Sequence, residues 1–360
     1  MKKLLPLVLL VLFIGSCEKE SFVSEPTLDQ ILNGKEVAVY KEMLTFKDKS
    51  SFDKVAEELS KKDKNYIQAW GNGLGFKSIY SIYEDAIEAE DVFLAEMVKK
   101  YGENSEVTRD EMGFSELTQK YLDKGTLSHT AEGILNMNVM IPTLAPLVNE
   151  DGLVRVGNEL RQYKYTTVKI ILDADYNKIN GLKELKESTD KIHVAAVERQ
   201  THEIKDVGRT KSSLGRCSSV NGKYWLIAYE DLSVVNEGGL PCPVYRNDYL
   251  VTLRSLKKIL GTWQNHNTGQ LKLNAKYCLD HLNCDYSIKR NVECYPGGQN
   301  WFGGFDSTIN FYLIMNYDTG PCVSSVPSIC QAAGTLVFKG AYSHELFATG
   351  VNGTACSILH

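Results

Sequence analysis

The distribution of cysteine is the feature that most constrains the fold. Eight of the nine cysteines lie in residues 217–360, and residues 18–216 contain none. In a chain that leaves the cytoplasm, an even number of cysteines confined to one region predicts a disulfide framework. A zinc site is the alternative, but it favours closely spaced Cys and His pairs, and the closest pair here is separated by five residues. The eight predicted disulfide cysteines are Cys217, Cys242, Cys278, Cys284, Cys294, Cys322, Cys330 and Cys356.

The amino terminus has the pattern of a secretory leader. Residues 1–3 carry two lysines, and the apolar run at 4–14 is too short for a stable membrane span, which needs about 20 residues. Residues 14–17, Ile-Gly-Ser-Cys, resemble the lipobox of bacterial lipoproteins. This resemblance implies that residues 1–16 are removed and that Cys17 receives a diacylglyceryl group and an amino-terminal acyl chain such as palmitate. Several acyl chains together give a stable membrane anchor.

The residues after Cys17 favour the outer membrane. Residue 18 is Glu where the inner-membrane retention signal of other lipoproteins has Asp. The polar segment 18–21 resembles the export tethers of Bacteroidetes surface lipoproteins. We therefore predict a lipidated tether at 17–27 and an outer-membrane, cell-surface location.

Composition limits the classes of partner. Hydrophobic residues make up 43% and charged residues 24% of the chain, which are the proportions of an ordinary globular protein. The net charge of −5 argues against nucleic acid, because phosphate binding needs a basic face. The predicted partners are the membrane, through the lipid anchor, and an extracellular glycan or protein.

Hydrophobic patterning predicts an α+β protein with two domains. Residues 28–200 form a mixed helical and small-sheet domain, and residues 217–360 form a disulfide-rich, sandwich-like β domain of short strands. The clearest helix runs over 78–100, because its apolar stripe is flanked by acidic residues early and lysines late. We also predict a helix capped by Ser51, a flexible turn at 71–75, a two-residue hairpin turn at 157–158 and a short helix at 178–186.

Three groups of residues resemble a recurring group of uncharacterised Bacteroidetes surface lipoproteins. The resemblance covers most of residues 40–200, carries no catalytic residues and implies only the location and the architecture. The fragments are 44–48 with Phe52, Trp70 and 75–78; 147–152 with 156–157 and Tyr163; and 261–263.

One short segment has a partial metal-binding pattern. Asp173, Asp175, Asn177 and Glu184 occupy positions 1, 3, 5 and 12 of an EF-hand-like count. Position 6, which requires Gly, is Lys178, so we interpret the segment as a turn with solvated acids. We predict no metal and no cofactor.

Residues 294–305 form the most interesting predicted loop. Its aromatic and amide side chains suit stacking on sugar rings and hydrogen bonding to hydroxyls, and aromatic residues are also enriched where proteins bind. The alternative is that the aromatic residues belong to the core. The candidate ligand-binding residues are Tyr295, Gln299, Asn300, Trp301 and Phe305.

Three functional hypotheses follow. The first is a binding module for a glycan or a protein. The second is an extracellular, glycosidase-like hydrolase, because paired carboxylates can do acid–base work without a local motif. The third is a structural or antagonistic envelope protein. The sequence predicts no catalytic residue and favours a protein that is not an enzyme.

Overall fold

A computed structural model gives the fold. It describes residues 26–103, 105–200, 215–218, 224–238, 244–266, 268–275, 279–282, 288–292, 299–306, 308–318, 336–338, 343–349 and 355–359. The combination of helices with mixed sheets confirms the α+β class. In these residues no helix has both the length and the apolar content needed to cross a bilayer.

Among the described residues, six α-helices and two 3₁₀ helices lie before residue 182. They are α1 Leu28–Leu32, α2 Lys49–Ser60, α3 Lys64–Leu74, α4 Ile79–Tyr101, α5 Arg109–Met112, α6 Glu116–Asp123, and 3₁₀ helices at Pro142–Leu147 and Tyr176–Gly181. Helix α4 confirms the predicted long helix: Ser78 caps its start by accepting from Ser81 N, and Gly102 follows its end.

The structure corrects three local predictions. Helix α2 is capped by Asp48, whose Oδ1 accepts from Ser51 N at 2.8 Å, so Ser51 lies inside the first turn. Residues 71–74 are helical rather than a flexible turn, and Gly75 ends α3 with φ 67°. The helix at 178–186 is instead the 3₁₀ turn Tyr176–Gly181. In α3, packing of Ile67, Trp70 and Leu74 against the core offsets the cost of the glycines.

A six-stranded sheet supports these helices. Its strands, in spatial order, are β1 Val37–Tyr40, β2 Met43–Phe46, β5 Leu153–Val156, β6 Glu159–Tyr163, β7 Thr167–Ile171 and β8 Ile192–Ala196. Strands β2 and β5 are parallel and every other neighbouring pair is antiparallel. The pairing of Val156 with Glu159 confirms the predicted two-residue hairpin turn. A separate ribbon pairs β3 Leu127–His129 with β4 Leu135–Met137.

The main core lies where this sheet meets α2, α4 and the first 3₁₀ helix. Phe52 of α2 is fully buried and contacts two aromatic rings of the sheet. It lies edge-on to Phe46 at 5.3 Å and stacks on Tyr163 at 5.9 Å between ring centroids. Such offset or edge contacts add to the stabilisation from burial.

Gly152 occupies a position that a larger residue cannot take. Its φ is 78°, and a Cβ added there would lie 2.7 Å from the carbonyl oxygen of Tyr163. We expect Gly152→Ala to lower the free energy of unfolding by about 1–3 kcal/mol, measured by urea denaturation. The control is Gly73→Ala in α3, where an added Cβ meets nothing within 4 Å; it should stabilise by about 0.5–1 kcal/mol. Equal effects of the two substitutions would contradict this explanation.

Beyond residue 197, the described residues contain no helix. The strands there are β9 Glu198–Gln200, β10 Gly215–Ser218, β11 Tyr224–Asn236, β12 Val244–Ile259, β13 Thr262–Asn265, β14 Thr268–Ala275, β15 Leu279–Leu282, β16 Ile288–Val292, β17 Gln299–Asp306, β18 Thr308–Asp318, β19 Leu336–Phe338, β20 Ser343–Thr349 and β21 Ala355–Leu359. Strands β11 and β12 have 13 and 16 residues and are longer than the short strands predicted.

These strands form three sheets. The largest has the order β10-β11-β12-β13, with β18 also paired to β12 and β9 to β11. The second has the order β17-β14-β20-β21, and the third β16-β15-β19. Strands β14 and β17 of the second sheet approach β18 of the first.

Candidate functional site

The predicted ligand-binding residues fall on a strand rather than a loop. Gln299, Asn300, Trp301 and Phe305 belong to β17, while Tyr295 lies outside the described residues. Strand β17 is at the edge of the four-stranded sheet and pairs with β14. The structure therefore places four of the five candidates on one continuous backbone element.

The register of this sheet divides its residues between two faces. Residues paired directly across strands share a face, and neighbours along a strand alternate between faces. One row across the sheet is Trp301, Leu273, Leu346 and Cys356. Two rows lie on the other face. One is Phe302, Lys272, Phe347 and Ala355, and the other is Asn300, Asn274, Glu345 and Ser357.

We call these the apolar face and the mixed face. The apolar face holds the row of Trp301, together with Leu271 and Ala348. The mixed face holds the rows of Phe302 and Asn300, together with Gln270 and Thr349. Of the residues predicted from the sequence, Asn300 is on the mixed face, while Gln299, Trp301 and Phe305 are at positions of the apolar face.

The partial calcium pattern is arranged around a lysine. The ammonium group of Lys178 contacts the carboxylate of Asp173 and lies 3.4 Å from Asp175 Oδ2. The hydrogen bond from Lys178 lowers the pKa of Asp173, and Asp175 accepts from Asn177 N at the start of the 3₁₀ turn. Glu184 lies beyond that turn. Within the described part of the chain, no three acidic, histidine or cysteine residues are grouped as metal ligands.

The cysteines lie largely outside the described residues. Cys217 is in β10, opposite Leu226, and Cys356 is in β21, opposite Leu346. Cys17 and the other six cysteines lie outside the described ranges. The lipid anchor and the disulfides therefore stay predictions.

Sequence reasoning missed a group of charged residues and one tyrosine, most of them buried, which we call the junction cluster. It joins α2 and β6 to β12 and to the residue after β11. Its members are Lys49, Asp53, Glu159, Arg161, Tyr163, Glu237, Arg246 and Asp248.

Glu237 lies at one centre of the junction cluster. Arg161 Nη1 donates to its Oε2 at 2.9 Å, Tyr163 Oη donates to its Oε1 at 3.0 Å, and the Lys49 ammonium contacts the same carboxylate. Burial by itself raises the pKa of Glu237, but the charges of Arg161, Lys49 and Arg246 outweigh burial and hold that pKa well below its usual value. The carboxylate is therefore ionised, and three donors satisfy it.

Arg246 is the second centre of the junction cluster, and its side chain is fully buried. Its Nε and Nη2 donate to the two oxygens of Asp248 at 2.7 and 2.8 Å, and its Nη1 donates to Asp53 Oδ1 at 2.5 Å. The guanidinium also lies 5.5 Å from the ring centroid of Phe52. The bidentate geometry is the strong form of an arginine–carboxylate pair.

A second buried arginine ties β12 to α4 and β4. Arg254 Nη2 donates to Tyr83 Oη at 2.9 Å and to the carbonyl oxygen of Leu135 at 3.0 Å. The same guanidinium donates to Asn136 and Asn265. Paired, hydrogen-bonded charges of this kind fix how helices and strands pack against one another. We therefore assign the junction cluster and Arg254 a structural role.

Comparisons with known proteins return few matches. No protein-family model and no curated protein matches the chain. One solved structure is a DUF4848 family protein from Bacteroides thetaiotaomicron, 14% identical, with a TM-score of 0.29 over 90% of this chain and 100% of that chain. Another is the structural genomics target SoR45, 7% identical, with a TM-score of 0.19 over 39% of this chain and 84% of that chain. TM-scores of this size do not establish a shared fold.

Proposed function

We propose that this chain is a bacterial lipoprotein, anchored in the outer membrane through Cys17, that binds a glycan or a protein outside the cell. The lipobox pattern at 14–17 and the polar tether support the anchor and the location. The confinement of eight cysteines to residues 217–360 supports a disulfide-bonded, sandwich-like domain exposed to an oxidising space.

The observation that carries the binding role is the mixed face. The two aromatic positions, Phe302 and Phe347, lie among amide, hydroxyl and charged residues in one sheet. Aromatic residues among polar ones are typical of surfaces that bind ligands or proteins.

The junction cluster is better suited to holding the fold than to acid catalysis. A glycosidase needs one carboxylic acid that holds a proton at working pH, with a second carboxylate close by. Glu237 does not supply that acid, because its neighbouring cations keep it ionised. Its three donors suit a residue that holds the fold together.

Lipidation at Cys17 can be tested directly in the native host. We expect cells grown with radiolabelled palmitate to label the wild-type protein, and Cys17→Ala to remove the label and release the protein from the membrane fraction. Ser21→Ala, in the same tether, is the matched control and should keep both.

Protease treatment of intact cells tests the location. We expect the wild-type protein to be digested while a periplasmic marker survives. A labelled Cys17→Ala protein would contradict the anchor, and full protection of the wild-type protein in intact cells would contradict exposure at the surface.

A further inference from the structure

Strand β1 forms one edge of the six-stranded sheet, and among the described strands it pairs with β2 alone. The opposite edge strand, β8, is held against the next sheet: it approaches β11, and His193 Nε2 donates to the carbonyl oxygen of Asn236 at 2.7 Å. An edge strand presents backbone N–H and C=O groups that another strand can use. The edge at β1 is therefore the place where this sheet could be extended.

The hydrogen bonds of the β1–β2 hairpin show which backbone groups point away from β2. In an antiparallel pair, successive residues alternate between bonding to the partner strand and pointing away from it. Glu36 accepts from Lys47 N at 3.0 Å, so Glu36 faces β2. The carbonyl oxygen of Phe46, which is opposite Val37, is bonded on the side away from β1. By the same alternation, Val37 and Val39 direct their N–H and C=O groups outward from the sheet.

The outward groups of these two valines are unused. Among the described residues, neither Val37 nor Val39 has a hydrogen-bond partner on this side. Helix α1 approaches both β1 and β2, which places it over a face of the sheet, because a helix lying beyond the edge would meet β1 alone. The strand reads Val-Ala-Val-Tyr and pairs without a bulge, so it lacks the charges, prolines and bulges that protect edge strands.

The side chains of β1 hold the strand in place for pairing. Val37 and Val39 pack on one face against the main core. Tyr40 packs on the other face in a smaller apolar cluster that contains Met43 and Tyr176. All four residues of β1 remain partly exposed. An incoming strand would thus meet a backbone that is already extended and fixed, which lowers the entropy cost of binding.

The spacing of the outward groups matches a second copy of β1. With a two-fold axis at Ala38, the two strands run antiparallel, and Val37 of each copy lies opposite Val39 of the other. Each of these two residue pairs exchanges two N–H···O=C bonds. Four hydrogen bonds then use every outward group of the valines in both copies. One surface serves both copies, as a two-fold interface requires.

We infer that two copies of this chain associate through β1, antiparallel about Ala38, and join their six-stranded sheets into one. The dimer goes beyond the proposed function and needs neither the lipid anchor nor a glycan ligand. Pairing ends at Lys41 and Glu42, whose positive φ angles turn the chain away from the edge. Lys35 of one copy comes near Lys41 of the other, which opposes association. Since the interface is also small, we expect a dissociation constant that is micromolar or weaker.

Cysteine cross-linking tests the register of the two strands. Ala38→Cys places one thiol of each copy at the axis, where the two Cα atoms of such a pair are about 4.5 Å apart, a separation that allows a disulfide. We expect this variant, mildly oxidised in membranes of the native host, to migrate as a dimer on a non-reducing gel and as a monomer after reduction. Ser128→Cys, at an exposed position of β3, is the matched control. Both it and the wild type should stay monomeric on the gel.

Light scattering by the mature protein in detergent measures the association itself. We expect the protein mass to rise from one chain to two between micromolar and millimolar concentration. Val39→Pro removes two of the four hydrogen bonds between copies and keeps the pairing with β2, because the lost N–H points outward. It should weaken association at least about tenfold. If circular dichroism shows that Val39→Pro is unfolded, Ala38→Lys tests the same edge by placing like charges at the axis, with Ser128→Lys as its control.

The outcomes are distinct. A mass of one chain at every concentration would overturn the dimer. A two-chain mass that persists unchanged in folded Val39→Pro or Ala38→Lys, or that gives no Ala38→Cys cross-link, would place the interface elsewhere and also overturn it. A cross-link to a different protein, without a two-chain mass, would assign the edge to another partner. Failure of the Cys17 and protease tests with the dimer retained would remove the proposed anchor and location and leave the dimer standing.

Discussion

Replacing Glu237 with Gln is expected to lower the free energy of unfolding by about 3–5 kcal/mol. The substitution removes the negative charge that Arg161 and Lys49 face, and it leaves the buried guanidinium of Arg161 without its main counterion. Breaking one side of a buried ion pair costs this much because the remaining charge stays desolvated. Urea denaturation of the mature protein measures the loss. Glu96→Gln, at an exposed position of α4, is the control and should change stability by about 0.5 kcal/mol or less.

The pH dependence of this effect has a definite sign. The folded-state pKa of Glu237 is depressed below its ordinary value of 4.5. Its contribution to stability is therefore complete above pH 4.5 and is lost as the pH falls below 4.5 toward the folded-state pKa. The wild-type protein should lose more stability than Glu237→Gln on acidification from pH 5 to pH 3. Parallel acid-denaturation curves for the two proteins would contradict the assignment of Glu237 as an ionised partner of Arg161.

Arg246→Met is also expected to lower the free energy of unfolding by about 3–5 kcal/mol. Methionine preserves much of the side-chain length but leaves the carboxylates of Asp248 and Asp53 without the cation that they share. The side chain of Asp248 is fully buried, so its charge cannot be hydrated instead. Lys100→Met, at an exposed position of α4, is the control and should have little effect on the urea midpoint.

The Arg246→Met deficit should shrink at low pH. Protonation of Asp248 and Asp53 at low pH removes the negative charges that have lost their arginine. The difference in unfolding free energy from the wild type should be smaller at pH 4 than at pH 7. A deficit that is constant over this range would mean that lost packing against Phe52, and not charge, explains the effect.

The sequence predicted the elements whose causes are local. Helix α4 follows from its apolar stripe and its Ser78 cap, and the β5–β6 hairpin follows from alternation on both sides of a two-residue turn. The boundaries of α3 were missed, because contacts made by Ile67, Trp70 and Leu74 with the core outweigh the local preference of glycine. The α+β class could be predicted from these elements, but the order of the strands could not.

The junction cluster could not have been predicted from one sequence. Arg246 meets Asp53 across nearly two hundred residues, and no spacing rule connects them. Arg246 and Asp248 do alternate in a manner that fits one face of a strand, but that pattern usually indicates a solvated face. The mixed face was missed for a related reason, because residues 294–305 were predicted to form a loop. Alternation of residues between two faces can be read only once residues 299–306 are known to form β17.

The parallel pairing of β2 with β5 has a consequence for the order of folding. The hairpin of β1 and β2 is local, but β5 lies about a hundred residues later, after the five helices α2 to α6. Contacts this distant in the chain are formed slowly, because a long loop must close first. Secretion, as proposed here, delivers the amino end first, so β2 emerges with an open edge well before its partner. A chaperone that shields unpaired strands would therefore be needed most during that interval.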